Sequence, residues 1–340
     1  MAKVAINGMG RIGKAAFKIV MDTPELELVA VNDLLPLENV VYMLKYDTVY
    51  GRYKKHVESS GGMIKVEGRE VRYLSEKEPD KLPWKDMEVD IVLECTGRWT
   101  DIDGLKRHIK AGAKHVILSA PSKSAEVLTV VHGVNNPAEV PEVMSCASCT
   151  TNSITPVVEV MGRRIGVKKA IMTTVHAYTS SQSIVDGANK NLRRGRAGAA
   201  NFVPTSTGAA KATIKALPQY KGKFDGVAVR APVPVGSISD IVFLTERPTS
   251  KEEVNNIFRE ESKSERYNGI LGITEEPIVS SDIVGDSHAS IVDLEMTQVV
   301  DGDLVKVMSW YDNEWGYSSQ LVREAARLGE QIDKLGRKAA

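Results

Sequence analysis

The sequence contains little cysteine, no long apolar run and no excess of charge of either sign. Three cysteines among 340 residues are too few, and odd in number, for a disulfide framework. No apolar stretch approaches the ~20 residues of a membrane-spanning helix, and the N-terminus lacks the apolar segment of a signal peptide. Basic and acidic residues number 44 each, which argues against binding nucleic acid by charge. We therefore expect a cytoplasmic protein without membrane or nucleic-acid partners, long enough for about two domains.

The most informative segment is Ser148-Cys149-Thr150-Thr151-Asn152, which precedes an amphipathic run at residues 153–165. If this run is a helix, its first backbone N–H groups and its partial positive charge favour a thiolate and lower the pKa of the Cys149 thiol. A strand-like segment at residues 173–178 contains His176 and could bring an imidazole to the sulfur. A cysteine with a histidine indicates acyl chemistry through a covalent thioester.

A glycine-rich turn near the N-terminus indicates a dinucleotide site. The β-rich run 3–7 leads into Gly8, Gly10 and Gly13 in a GxGxxG pattern, followed by a helical pattern to residue 20. The next predicted strand, at residues 26–31, ends shortly before Asp33, twenty positions after Gly13. The helix N-terminus would then receive a pyrophosphate and Asp33 the ribose hydroxyls. A glycine turn without a ligand is the alternative.

A dinucleotide beside a nucleophilic thiol suits aldehyde oxidation, in which hydride leaves and a thioester remains for a second nucleophile. The segment SCASCTTNSITP at residues 145–156 resembles the active-site signature of phosphorylating glyceraldehyde-3-phosphate dehydrogenases. Further similar segments occur in the family's order: NGMGRIG at 7–13, LKYD at 44–47, ECTG at 94–97, SAP at 119–121, LRR at 192–194, TGAAK at 207–211 and WYDNEWGY at 310–317. The resemblance extends from the N-terminus to about residue 330.

The resemblance implies a role for each matching residue. Cys149 is the nucleophile, and His176 is the base that accepts its proton and forms an ion pair with it. The implied cofactor contacts are Gly8, Gly10, Arg11, Ile12, Gly13, Asp33, Thr96, Gly97, Ser119, Asn313, which fixes the nicotinamide amide, and Tyr317, which packs against its ring. The implied ligands of inorganic phosphate are Ser148, Thr150, Thr207 and Gly208, with Arg194 nearby, and those of the substrate's phosphate are Thr179 and Arg230. For the hydroxyls of Ser148, Thr150 and Thr207, helix N-capping is the alternative.

The order of predicted strands and helices indicates an α/β fold with two domains. Residues 1–148 form an NAD(P)-binding domain with a Rossmann-type doubly wound parallel sheet, including strands at 89–94, 115–118 and 128–131. Turn signals within residues 57–73 predict β-hairpins at its edge. Residues 149–314 form an α+β catalytic domain whose mostly antiparallel sheet has strands at 168–178, 226–233, 238–245, 290–295 and 304–312. Ser250 and Glu253 form a capping box for a helix at 251–262, and a C-terminal helix at about 315–335 completes the first domain.

We therefore expect a phosphorylating glyceraldehyde-3-phosphate dehydrogenase, a homotetramer that converts D-glyceraldehyde 3-phosphate, NAD(P)+ and inorganic phosphate to 1,3-bisphosphoglycerate in glycolysis or gluconeogenesis. Erythrose-4-phosphate dehydrogenase, which releases its acyl group to water, is the alternative enzyme. A nucleotide-binding or RNA-associated protein without catalysis is a third possibility, against which the presence of Cys149, His176, Arg230 and Asn313 argues. Cys146 and Cys149 lack the second cysteine pair or clustered histidines of a metal site, so we expect no metal.

Two departures from the family pattern bear on specificity. Asp33-Leu34 favours NAD because the carboxylate repels a 2′-phosphate, whereas Gly187-Ala188 replaces the Leu-Pro pair of many NAD-preferring members. We expect NAD to be preferred and NADP to be accepted. Ser181 stands where the family usually has an acidic residue. The change is either harmless or makes the substrate-phosphate pocket more electropositive.

Overall fold

The computed structural model describes residues 1–339, which divide into two compact units. Unit 1 comprises residues 1–130, 137–147 and those from 318 onward, and unit 2 comprises residues 131–136 and 148–317. The sequence assigned residues 131–136 to the first domain. In the structure, Arg266 of unit 2 donates from Nε to the Gly133 carbonyl at 2.7 Å and from Nη2 to the Val134 carbonyl at 2.9 Å. These bonds tie that segment to unit 2.

Unit 1 is built on a nine-stranded sheet with helices. Its strands are β1 Ala2–Asn7, β2 Leu26–Asn32, β5 Val57–Ser60, β6 Met63–Val66, β7 Arg69–Leu74, β8 Ile91–Glu94, β9 His115–Leu118, β10 Leu128–Thr129 and β11 Val143–Ser145; β3 Tyr46–Asp47 and β4 Gly51–Arg52 form a separate pair. The helices are α1 Arg11–Val20, α2 Leu37–Lys45 and α3 Ile102–Lys110, with a 3₁₀ turn at Pro79–Lys81. The strand order is β10-β11-β9-β8-β1-β2-β7-β6-β5.

The strands from β10 to β7 in this order run parallel, and β6 and β5 continue the sheet antiparallel. The predicted Rossmann-type sheet and the hairpins at its edge are therefore confirmed. The first strand, β1, lies between β8 and β2, so the chain leaves it on one side and returns later on the other. In an open parallel sheet, such a switch point leaves a crevice at the carboxyl ends of the strands.

Unit 2 contains a seven-stranded sheet in the order β13-β14-β12-β15-β18-β17-β16. Its strands are β12 Val167–Ala177, β13 Val203–Ser206, β14 Phe224–Ala231, β15 Ser237–Thr245, β16 Leu271–Thr274, β17 Ser290–Val300 and β18 Leu304–Tyr311. All neighbours are antiparallel except β12 with β14 and β16 with β17, as the sequence predicted for the sheet as a whole. In the parallel pair, His176 on β12 is in register with Arg230 on β14.

The remaining helices are α4 Cys149–Arg164, α5 Ala209–Ala216, α6 Lys251–Glu261 and α7 Trp315–Ala339, with 3₁₀ turns at Leu192–Gly195, Gly198–Ala200, Pro218–Tyr220 and Glu265–Tyr267. One side of α4 contributes Ile154, Val157 and Met161 to the core of unit 2. Within residues 1–339, no helix is long and apolar enough to cross a membrane.

Half of the predicted capping box of α6 is formed. Ser250 Oγ accepts a hydrogen bond from the Glu253 backbone N–H at 3.2 Å. The Glu253 carboxylate does not return to Ser250 but accepts bonds from Arg247 and from the Thr249 hydroxyl. The second bond of the motif, from the Ser250 N–H to the Glu253 carboxylate, is therefore replaced by bonds from Arg247 and Thr249 to that carboxylate.

Candidate functional site

The structure brings the two predicted catalytic side chains together. The helix α4 begins at Cys149, and the Ser148 hydroxyl caps it by accepting the Thr151 N–H at 3.2 Å. The strand β12 presents His176 on its inner side, where the residue is 4% exposed. The Cys149 Sγ lies 3.4 Å from His176 Nε2. Cys149 as a residue is partly exposed.

The predicted lowering of the Cys149 pKa is wrong. Burial raises the pKa of this thiol, and its effect exceeds the lowering by Arg230 and by hydrogen bonds from Thr150 and from the Cys149 backbone N–H. The helix start therefore contributes as expected, but removal of water from the sulfur outweighs it.

His176 is held neutral by its surroundings. Burial, together with the positive charges of Arg230 and Arg194, lowers the pKa of His176 to about 3, although a hydrogen bond to Ala177 opposes the shift. Nδ1 lies 2.7 Å from the Ala177 carbonyl oxygen and 2.5 Å from Arg230 Nη1. A ring proton on Nδ1 is donated to Ala177 and leaves Nε2 as a base toward sulfur, whereas a ring proton on Nε2 lets Nδ1 accept from Arg230.

The sequence did not identify Tyr311 as a site residue. Its ring meets that of His176 edge to face with centroids 5.9 Å apart. Its hydroxyl bonds the Thr150 hydroxyl at 2.9 Å and the Thr174 hydroxyl at 2.8 Å, and burial raises its pKa strongly. Tyr311 thereby ties the first turn of α4 to β12. Two features of the sequence could have indicated Tyr311: its position in the alternating pattern of strand β18 and its place in the WYDNEWGY segment.

Several predicted phosphate ligands lie near the imidazole. Arg230 Nη1 also donates to the Ala177 carbonyl at 3.0 Å, while its Nε is buried without a hydrogen-bond partner. Arg194 donates from Nε to the Thr205 hydroxyl at 3.1 Å, and its charge lowers the pKa of both His176 and Arg230. An orphaned guanidinium N–H and a second cation are features of an anion site.

The hydroxyls near these cations have different partners. Thr179 Oγ1 and Ser181 Oγ lie 2.9 Å apart in a hydrogen bond. The Thr207 hydroxyl accepts the Ala209 N–H at 3.1 Å, just before Gly208, the N-cap residue of α5, which has no side-chain cap. Ser148 therefore has the N-capping role that was its alternative. Thr207 is not an N-cap residue, and Thr150 bonds Tyr311 instead. The Ser148 hydroxyl also bonds the Thr151 hydroxyl at 2.7 Å, and either of the two oxygens can be the donor.

In unit 1, a crevice of about 340 Å³ lies at the carboxyl ends of β1 and β2. Gly8, Gly10, Asp33 and Thr96 are among its lining residues. Gly8 has φ +98°, and a Cβ at Gly13 would lie 1.9 Å from the Gly8 carbonyl oxygen. A Cβ at Gly10 would meet nothing within 4 Å, and no side chain caps α1. The crevice therefore has the tight turn and the open backbone at a helix N-terminus that a pyrophosphate requires.

The other predicted cofactor residues of unit 1 have varied surroundings. Asp33 accepts the Met9 N–H at 2.6 Å and the Leu35 N–H at 3.0 Å, which fixes its carboxylate at the crevice. Arg11 forms an ion pair with Asp47, and Ile12 packs against the core. Three further residues, Thr96, Gly97 and Ser119, follow the ends of β8 and β9.

Asn313 and Tyr317 belong to unit 2. Asn313 Oδ1 accepts hydrogen bonds from the Gly236 N–H at 3.2 Å and from the Ser237 hydroxyl at 3.1 Å, so its amide is fixed in orientation. Tyr317 is buried in the first turn of α7.

The other two cysteines have unreactive surroundings. Burial raises the pKa of Cys95 to about 12 and raises that of Cys146 well above its ordinary value. In the part of the chain that the structure describes, no three His, Cys, Asp or Glu side chains are grouped to hold a metal ion.

Comparison with known proteins gives matches over both units. The model of the glyceraldehyde 3-phosphate dehydrogenase NAD binding domain matches residues 2–102, and that of the C-terminal domain matches residues 148–313. Glyceraldehyde-3-phosphate dehydrogenase 2 of Streptomyces avermitilis is 46% identical over 334 residues, covering 97% of this chain and 99% of that protein. The glyceraldehyde-3-phosphate dehydrogenases of Geobacillus stearothermophilus and Zymomonas mobilis are 44% and 41% identical, each over 97% of this chain and 98% and 99% of their own.

Proposed function

The chain belongs to the glyceraldehyde-3-phosphate dehydrogenase family, a family of NAD-binding oxidoreductases, and from this premise we propose that it catalyses the phosphorylating oxidation of D-glyceraldehyde 3-phosphate through a thioester on Cys149. The observation that carries the proposal is the 3.4 Å contact between Cys149 Sγ and His176 Nε2, with Arg230 against the opposite nitrogen of the ring.

The proposed reaction begins with proton transfer from Cys149 to His176. The Ala177 carbonyl holds the proton on Nδ1, so Nε2 has a lone pair directed at the sulfur. Burial disfavours a lone charge on either group, but the transfer creates both charges together, and their attraction is strong in a site of low dielectric. The thiolate then attacks the aldehyde carbon, and the Cys149 backbone N–H at the start of α4 stabilises the developing oxyanion.

NAD+, when bound, supplies the acceptor for the hydride that leaves the hemithioacetal and so leaves a thioester. Before this step, protonated His176 gives the proton that it took from Cys149 to the oxyanion, which becomes the hemithioacetal hydroxyl. As hydride leaves, neutral His176 takes that proton again. Inorganic phosphate then attacks the thioester carbonyl carbon, the C–S bond breaks, and the products are 1,3-bisphosphoglycerate and the Cys149 thiolate.

Arg230 and Thr179 are the proposed ligands of the substrate's phosphate. The free Nε–H of Arg230 is buried, and a buried donor without a partner is costly until a ligand accepts from it. Ser148, Thr150, Thr207, Gly208 and Arg194 are the proposed ligands of the attacking phosphate. The bond from the Ala209 N–H to the Thr207 hydroxyl supports this role because it places the hydroxyl at the start of α5.

We assign residues 1–148 with the C-terminal helix to cofactor binding and residues 149–314 to catalysis. The Gly8, Gly10 and Gly13 turn would hold the pyrophosphate, Asp33 the adenosine ribose, and Asn313 and Tyr317 the nicotinamide; Arg11, Ile12, Thr96, Gly97 and Ser119 would complete this site. The Asp33 carboxylate, with two N–H donors, cannot move away from a 2′-phosphate without losing them, which supports a preference for NAD with weaker use of NADP.

The proposal includes a homotetramer in the cytoplasm. Unit 2 exposes Ile171, Val175 and Val227 on β12 and β14, and the loop beyond β12 exposes Ile184, Leu192 and Phe202 by 71 to 90%. Apolar side chains grouped in this way indicate contact with another subunit. The catalytic thiol needs a reducing compartment.

Initial-rate kinetics test the proposal. We expect NADH formation from glyceraldehyde 3-phosphate that depends on inorganic phosphate or arsenate, with little activity on erythrose 4-phosphate. A rate that is independent of phosphate and higher with erythrose 4-phosphate would assign the chain to the hydrolytic alternative. Light scattering after size exclusion measures the oligomeric state.

A further inference from the structure

A chain of buried polar side chains lies beneath the crevice of unit 1, and the proposed mechanism uses none of its inner members. It consists of Trp84, His108, Glu94, Asn7 and Asn32, and we refer to these five residues as the buried polar chain. None is more than 4% exposed. Burying five polar side chains is costly unless each is fully hydrogen-bonded, so the arrangement calls for an explanation.

The hydrogen bonds of this chain fix the protonation of His108. Trp84 Nε1 donates to His108 Nδ1 at 3.0 Å, and an indole N–H can only donate. His108 Nδ1 must therefore be an acceptor, which leaves the ring proton on Nε2. That nitrogen lies 3.0 Å from Glu94 Oε2. Trp84 thus selects the neutral form of His108 that donates to Glu94, and a second ring proton would point at the indole N–H.

Glu94 is consequently an acceptor on both oxygens. Oε2 receives His108 Nε2–H and, at 2.6 Å, Asn7 Nδ2. Oε1 receives the Thr96 N–H at 2.8 Å and the Thr96 hydroxyl. Glu94 accepts from four donors and donates to none, so its side chain is a carboxylate. Charge-assisted bonds of this kind are stronger than neutral ones.

One end of the buried polar chain, formed by Asn7 and Asn32, lines the crevice itself. Asn7 accepts from Asn32 Nδ2 at 2.8 Å, and Asn32 exchanges two bonds with the backbone of Glu76. Asn7, Asn32, Glu76 and Thr96 all line the crevice. A Cβ at Gly8 would lie only 2.8 Å from the Thr96 nitrogen, so the two turns are in close contact. A shift of Thr96 therefore shifts the turn that would receive the pyrophosphate.

We infer that Trp84 and His108 are positioning residues for the dinucleotide, acting through the Glu94 carboxylate on Thr96 and Asn7. Both donors of Thr96 are used by Glu94, so Thr96 shapes the crevice and does not itself donate from its hydroxyl to the cofactor. The inference rests on the proposed placement of NAD in this crevice.

The test compares two substitutions of His108 in the full-length protein by titration with NAD+. In His108→Gln, the amide oxygen can accept from Trp84 and the amide nitrogen can donate to Glu94, as the neutral ring does. In His108→Leu, neither bond forms and Glu94 loses a donor. We expect His108→Leu to raise the Kd for NAD+ about tenfold and His108→Gln to stay within about threefold of wild type. The turnover number at saturating NAD+ and the rate of Cys149 alkylation should not change in either.

His115→Leu is the matched control, because His115 begins β9 in the same sheet and bonds the Pro141 carbonyl instead of the buried polar chain. Wild-type affinity in His108→Leu, equal losses in His108→Leu and His108→Gln, or an equal loss in His115→Leu would each overturn the inference. Thermal unfolding establishes whether each variant folds. If His108→Leu does not fold, the affinity for NAD+ is compared between Thr96→Val, which lacks the hydroxyl, and Thr96→Ser, which keeps it. Equal affinities of these two variants would overturn the inference.

One further variant separates this inference from the cofactor site it depends on. Gly10→Leu adds a side chain to the open space of the crevice without contacting protein atoms at its Cβ. We expect it to abolish NAD+ binding. If Gly10→Leu binds normally, the proposed cofactor site is wrong. If Gly10→Leu fails to bind while His108→Leu binds as wild type does, only the positioning role fails.

Discussion

Arg230 Nη1 lies 2.5 Å from His176 Nδ1, and the two residues face each other across the paired strands β12 and β14. The cation proposed to hold the substrate's phosphate therefore touches the proposed base. A guanidinium is planar and can donate from several N–H groups at once. Arg230 can donate from Nη1 to the Ala177 carbonyl beside the ring while its Nε–H donates to an anion.

Replacement of Arg230 should affect both binding and the base. We expect Arg230→Ala to raise the KM for glyceraldehyde 3-phosphate at least about tenfold, because a buried charge-assisted contact is lost. Since Arg230 holds the pKa of His176 down, that pKa should also rise, which the pH profile of kcat/KM measures. Arg193→Ala, in the same region but exposed, serves as the control. An unchanged KM in Arg230→Ala would exclude its role as phosphate ligand.

Cys149 should be the single reactive thiol. We expect Cys149→Ser to bind NAD normally and to have no turnover, because a hydroxyl is too weak a nucleophile near neutral pH. Iodoacetamide should label the Cys149 peptide of the wild type, because His176 Nε2 lies 3.4 Å from its sulfur and can take the thiol proton. Burial holds the pKa of Cys95 at about 12 and that of Cys146 well above its ordinary value. Because burial raises the Cys149 pKa, labelling should accelerate as the pH rises above neutrality. Equal labelling of the three peptides contradicts this.

His176 should make the protein sensitive to acid. Its folded pKa of about 3 lies below the ordinary 6.5, so the stability due to the neutral ring is complete above pH 6.5 and is lost as pH falls toward 3. As the pH falls over this range, the unfolding free energy of His176→Asn should decrease less steeply than that of the wild type. The two slopes should differ by about 1.4 kcal/mol per pH unit. Denaturant titrations at several pH values measure it. His56→Asn, at an exposed histidine, should retain the wild-type slope, and equal slopes for all three proteins would refute the burial effect.

The hydrogen bond between Thr179 and Ser181 gives the departure at residue 181 a physical consequence. Two hydroxyls can share one proton and turn the other toward an anion, whereas a carboxylate at 181 would take the Thr179 proton and add a negative charge. We expect Ser181→Asp to raise the KM for the phosphorylated aldehyde several-fold while that for inorganic phosphate changes little. Ser180→Asp adds the same charge one residue away as the control. If Ser181→Asp leaves both constants unchanged, Ser181 is a harmless replacement.

Cofactor preference should depend on the charge of Asp33. Asp33→Asn removes the charge while its amide oxygen can still accept one of the two backbone N–H groups that hold the side chain. We expect kcat/KM to fall with NAD and to rise with NADP, so that the ratio of the two changes about tenfold, as for loss of one charged contact. Wild-type enzyme should prefer NAD. A higher efficiency of the wild type with NADP would reverse the assignment.

The sequence predicted the fold well where local patterns determine it. The parallel strands and the hairpins of residues 57–73 follow from alternation and turn residues, and the structure confirms them. The helix predicted from residue 153 begins at Cys149 in the structure. The sequence did not reveal this earlier start, because Thr150, Thr151 and Asn152 have no apolar periodicity and are buried by contacts that only the tertiary structure makes. Similarly, Trp84, Glu94 and His108 are ordinary residues in sequence, and their hydrogen bonds join three separate segments. The direction of the Cys149 pKa could not be predicted, since it depends on how much water the rest of unit 2 excludes.

The proposed thioester on Cys149 is tested most directly by a single-turnover experiment with wild-type protein, glyceraldehyde 3-phosphate and NAD+ in the absence of phosphate. We expect a burst of about one NADH per active site and a Cys149 peptide carrying the acyl group in the mass spectrum, as a stable covalent intermediate requires. Addition of inorganic phosphate should then release the acyl group as 1,3-bisphosphoglycerate and restore steady turnover. Full turnover without phosphate, or a burst with no acyl group on Cys149, would contradict it.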